Sequence, residues 1–152
     1  MSEVERIDDQ MRRAFEGEAW HGPAVQELLR DVTPQQAARR PITAAHSIWE
    51  LVLHMNTWKN VVHRRLGGDP ATEVPPEMDF PPVTDTGAAA WRATLDRLSE
   101  AQARLQQALR GIRDGQLDEP PAQGVSTRYR LLHGVIQHDL YHAGQIAILK
   151  KG

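Results

Sequence analysis

Two histidines four residues apart carry the strongest chemical signal in the chain, in the segment His138-Asp139-Leu140-Tyr141-His142. On a helix this spacing puts both imidazoles on one face, one turn apart. Two rings so placed can converge on one ion at roughly 2.0–2.1 Å, or stand as two ordinary hydrogen-bonded histidines. The chain contains no cysteine. A disulfide framework and a thiolate metal site are therefore excluded, and any metal must sit on histidine, carboxylate or water. A third protein ligand has to come from another helix. Of His46, His54 and His63, only His54 lies near the middle of its segment. The other two are about a dozen ångströms away along a helix axis, too far to share its ion.

Other residues have candidate roles around such a site. His21 is the candidate catalytic residue, as a base, a substrate contact or a fourth ligand, with a capping or surface histidine as the alternative. Glu50, one turn before His54, is either a carboxylate that orients an imidazole or a surface acid. Gln145, just past His142, is a candidate hydrogen-bonding partner in the pocket or at a helix contact, and Gly144 is expected to permit close helix packing. Asp139 and Tyr141 are expected on other helix faces, and His63 and His133 at the surface. Trp58 and Trp91 read as core rings before substrate contacts.

Helices must position these groups. The composition favours helix formers, and strictly alternating Val, Ile and Thr runs are missing. A first helical region runs from about Val4 to Leu29, with Ile7, Met11, Ala14, Phe15, Val25, Leu28 and Leu29 at helical spacing. Trp20-His21-Gly22-Pro23 kinks or breaks it, because proline lacks an amide hydrogen and clashes with the preceding turn. Gln35 to Arg39 adds a helical turn. The second main helix spans about Ala44 to Leu66 and stops at Gly67-Gly68. Residues 69–86 form a proline-rich connection without periodicity, long enough for a crossover. In it, Met78, Phe80 and Val83 are apolar anchors, and the segment is placed to cover one end of a pocket. The third helix starts near Thr86 or Gly87 and ends near Arg110. The fourth runs from Ser126 or Thr127 through Leu149. Each has one apolar face, so lateral packing into a single all-α four-helix bundle domain over residues 1–152 is the expected solution.

The 152 residues carry a formal net charge of -2. No broad basic surface is implied, which argues against nucleic acid as a partner. The N-terminus lacks the apolar run of a signal peptide, and no stretch approaches the roughly 18 apolar residues of a spanning helix. A cytoplasmic protein without a membrane partner is the expectation. There is no phosphate-binding loop, dinucleotide-binding glycine pattern or HExxH arrangement.

The segments AHSIWELVLHMNTWKNVVHRRL and HGVIQHDLYHAGQIAILK resemble the DinB/YfiT-like superfamily. The most specific part is the pattern H-x-x-x-H-x-G-Q-I over His138 to Ile146; the AWHGP element at Ala19 to Pro23 looks like the first-helix region of one branch. The resemblance covers essentially the whole chain. It implies a four-helix bundle with a long crossover between helices two and three, and a divalent metal on His54, His138 and His142. Zinc or nickel is the expected ion, with iron or manganese acceptable to the same donors. It further implies a homodimer. Relatives include enzymes that act with low-molecular-weight thiols such as bacillithiol and mycothiol.

Three neutral imidazoles leave a coordination position open. There the ion could activate a water for hydrolysis or a thiol for transfer to a small-molecule substrate. The competing classes are a non-catalytic metal-binding, stress-related helical dimer and a metal-free structural dimer.

Overall fold

The computed structural model describes all residues, Met1–Gly152. It is all-α: seven α-helices and one 3-10 turn, without a strand. Four helices are long: α1 (Glu3–Phe15), α4 (Ile48–Leu66), α6 (Ala88–Arg110) and α7 (Arg128–Leu149). Three are short: α2 (Val25–Leu29), α3 (Pro34–Ala38) and α5 (Pro76–Asp79). No helix is long and apolar enough to cross a membrane.

The first helical region is two pieces. α1 ends at Phe15, and the chain turns through Glu18 (φ 64°) and Gly22 (φ 134°) before α2 begins. Glu18 occupies a left-handed conformation that favours glycine, and its carboxylate and carbonyl accept from Arg12 and Arg13. α4 starts four residues later than expected. Ser47 caps it by accepting from the Glu50 amide, and Glu50 accepts in return from the Ser47 amide. This reciprocal capping box fixes the entry to the helix that carries His54. Thr127 caps α7 one-way, its hydroxyl accepting from the Arg130 amide.

α4 packs against α6 and α7, and α1 packs against the same two helices. The apolar faces close over two clusters. One gathers Phe15, Val25, Leu29, Trp49, Val52, Met55, Trp91, Leu98 and Ile146; the other gathers Ile7, Met11, Leu105, Leu109, Leu132 and Val135. Trp91 belongs to the core, as expected, with its indole N–H donating to the Val32 carbonyl. The expected anchors Phe80 and Val83 pack against the first cluster, whereas Met78 is exposed.

Candidate metal centre

α4 and α7 face one another so that His54 meets both His138 and His142. The Nε2 atoms of His138 and His54 are 2.9 Å apart, and those of His142 and His138 are 3.1 Å apart. One ligand atom from each residue lies within 4.8 Å of the others, the one cluster of this kind in the chain. Around a tetrahedral ion with bonds of about 2.0–2.1 Å, imidazole nitrogens stand about 3.3 Å apart. The two closest pairs are within a few tenths of an ångström of that spacing.

The outer nitrogens decide what the inner ones offer. His54 Nδ1 is 2.8 Å from the Asp79 carbonyl and donates to it. His142 Nδ1 is 2.6 Å from Gln145 Oε1 and donates likewise. Both rings therefore turn an Nε2 lone pair inward. His138 can place its single proton on Nε2, serving two acceptors and leaving a bare buried Nδ1. Otherwise the proton sits on Nδ1, and three lone pairs face one another. His138 Nδ1 has no partner in the protein. Burial, and then the neighbouring His142, His54 and Lys59, pushes His138 down to about 3. Burial also lowers His142, against the raising effect of Gln145. A fourth proton is therefore strongly disfavoured at neutral pH, whereas a divalent cation would satisfy all three Nε2 atoms. The donor set fits the metal.

The connection between α4 and α6 closes over this cluster. Phe80 lies flat between two imidazoles, 4.0 Å from the His54 ring and 3.8 Å from the His46 ring, nearly parallel to both. Asp79 Oδ1 accepts from the Trp58 indole at 2.7 Å and lies 3.1 Å from His54 Nδ1. Trp58 is thus tied to the site rather than to the core. Glu50 does not orient His54: it caps α4 and pairs with Arg40. Gln145 does take the pocket role considered for it. Gly144 is exposed, and an added Cβ there would meet nothing within 4 Å, so close packing does not explain it.

One turn along the same helix seam is a group that sequence reasoning missed. Lys59 and Asp139 are both wholly buried and pair at 2.5 Å, and Lys59 also donates to Gln102 Oε1 at 2.7 Å. Asp139 therefore faces α4, and burial raises its pKa against the pull of Lys59. The signal was present: Val52, Met55, Lys59 and Val62 share one helical stripe.

His138 also borders a cleft of about 280 Å³ between α4 and α7, with Trp58, Val62, Arg65, Arg130 and Gly134. His21 is exposed and lines a different groove, with Arg13, Trp20, Ile136 and Leu140; none of the three clustered histidines borders it. His63 is half-buried, and so is His133, which packs on the Tyr129 ring at 4.3 Å.

No curated protein and no solved structure shows significant similarity to the chain. Residues 19–146, which include all three clustered histidines, match the family described as the DinB superfamily, and the chain belongs to that superfamily.

Proposed function

We propose that the chain is a metal-dependent enzyme, a thiol S-transferase or a hydrolase, acting on a small molecule at a divalent ion held by His54, His138 and His142. The observation that supports this reading is the convergence of three Nε2 atoms, two of whose rings, His54 and His142, are aimed by Asp79 and Gln145. The bound ion would supply Lewis acidity toward a thiol or a water. Asp79 and Gln145 hold the His54 and His142 tautomers, and Phe80 stacks over His54 and limits solvent access from that side. In thiol transfer, the thiol sulfur forms a bond to an electrophilic carbon, the leaving group departs with its electron pair, and the thiol proton passes to solvent. In hydrolysis, water replaces the thiol. Zinc or nickel is the proposed ion. His21, in its separate groove, has no part in this chemistry.

The reading extends to a single domain whose four long helices form one bundle, with residues 69–86 as its crossover, and to a cytoplasmic homodimer. The test is elemental analysis of untagged protein purified without added metal. Near-stoichiometric metal that disappears in His54→Ala and His138→Ala supports the site. Turnover of a low-molecular-weight thiol with an electrophile, or of an ester, then decides the reaction class. Metal bound without either turnover would favour the non-catalytic metal-binding dimer. Folded protein that binds neither zinc nor nickel would sink the proposal.

A further inference from the structure

The cleft beside His138 has a polarity that the metal chemistry does not explain. Along α7, His138, Gly134 and Arg130 line it in order, one turn apart; along α4, Trp58, Val62 and Arg65 line it, with the Arg65 guanidinium turned back over the Trp58 ring, 5.8 Å from its centroid. His138 and Arg130 are eight residues apart on α7, which sets a length of roughly 12 Å along the helix. No acidic residue lines the cleft. The neighbours Arg64 and Arg128 each reach a carboxylate, Asp69 at 3.5 Å and Glu119 at 3.9 Å. Arg65 instead donates to the Ala71 and Thr72 carbonyls, which orient it without neutralising it. Arg130 is exposed, and its side chain has neither a hydrogen-bond partner nor an ion pair. It also sits in the first turn of α7, where the helix end disfavours a cation and where no acid compensates it.

Gly134 points the same way. A glycine inside a helix costs about 1 kcal/mol relative to alanine. Packing does not account for it here, because an added Cβ would meet nothing within 4 Å. The missing side chain leaves the middle of the cleft open.

We propose that this cleft binds an elongated organic anion. Its carboxylate sits at Arg65 and Arg130, its apolar stem lies over Gly134 and against Trp58 and Val62, and its far end is delivered to His138. The inference deepens the metal-enzyme reading and rests on it for what happens at His138. Two positive groups beside an apolar wall select a molecule that is charged at one end and apolar along its length.

The experiment uses octanoate as the probe and octanol as its neutral counterpart, with affinities from ligand-observed NMR titration and metal content measured on the same samples. Octanoate is expected to bind at least about tenfold more tightly than octanol, since a hydrogen bond to a charged group contributes about 1.5–3 kcal/mol. Arg130→Gln should remove most of that preference and leave octanol unchanged. Gly134→Leu, which fills the cleft while favouring the helix, should abolish binding of both at unchanged metal content and circular dichroism. Equal affinity for the two probes, octanoate binding unaffected by either substitution, or no octanoate binding at millimolar concentration would each overturn the proposal. Arg130-dependent octanoate binding to protein that takes up no metal would uphold the cleft and sink the metal reading. Full metal occupancy without octanoate binding would do the reverse.

Discussion

The seam between α4 and α7 carries two buried polar clusters one helical turn apart, and they are built on opposite rules. Lys59, Asp139 and Gln102 bring together a cation, an anion and an amide with nothing exposed. His54, His138 and His142 bring together three bases that share too few protons. The first cluster has its charges paired within the chain, and its two leftover atoms, Asp139 Oδ1 and Gln102 Nε2, are one acceptor and one donor. The second turns its lone pairs toward one point, where a positive ligand would satisfy them. Buried polarity alone therefore does not mark a functional site; a converging excess of acceptors over donors does.

The largest expected effect tests the matched cluster. Lys59→Met or Asp139→Ala alone leaves an uncompensated buried group and should cost on the order of 3–5 kcal/mol in urea denaturation. The double change Lys59→Met with Asp139→Leu should recover most of that loss. Single costs under about 1 kcal/mol would show that this pair is not matched in the sense argued here.

The unmatched cluster should respond to metal instead. At a free zinc concentration about a thousandfold above Kd, stability should rise by about 4 kcal/mol, a gain absent in His54→Ala. An equal gain in that variant would place the ion elsewhere. A smaller effect concerns orientation. Phe80→Ala and Gln145→Leu keep all three ligands but loosen His54 and His142, and should weaken metal affinity by about 10- to 100-fold in a competitive chelator titration. Unchanged affinity would reduce the α4–α6 connection to a cover.

The effect that vanishes at neutral pH separates the clusters by protonation. His138 titrates near 6.5 in the unfolded chain and near 3 in the folded one. The unfolded state therefore binds more protons between those values. Metal-free protein should lose stability as pH falls from about 6.5 toward 3, with no further loss from this group below. His138→Gln should reduce the slope of the urea midpoint across that window, leaving the share that comes from His142 and from carboxylates such as Asp9 and Asp114. A slope that persists unchanged would assign it to other groups.

The three clustered histidines were legible because spacing is a local property. Four residues place His138 above His142 on any helix, and His54 is the one histidine near the middle of its own. The partners that aim them were less legible, for two different reasons. Asp79 and Phe80 come from a segment without periodicity, and its docking depends on tertiary contacts that no window of sequence contains. Glu50 was legible and was weighed for the wrong task. Ser47-Ile48-Trp49-Glu50 is a capping-box pattern, and it states why that carboxylate is turned away from His54. The break before α2 was visible in Gly22 and Pro23. The short helices α2 and α3 owe their existence to packing and capping more than to propensity.

His54 and His138 are 84 residues apart in the chain. A ligand that joins them closes a loop of that length, and in polymer terms it is a cross-link that can be withdrawn. Closing such a loop removes about 4.5 kcal/mol of unfolded-chain entropy on the scale used for disulfides. With an ion bound there, a chain with no cysteine would have a reversible staple at its centre, and its lifetime against proteolysis would become a function of the free metal around it.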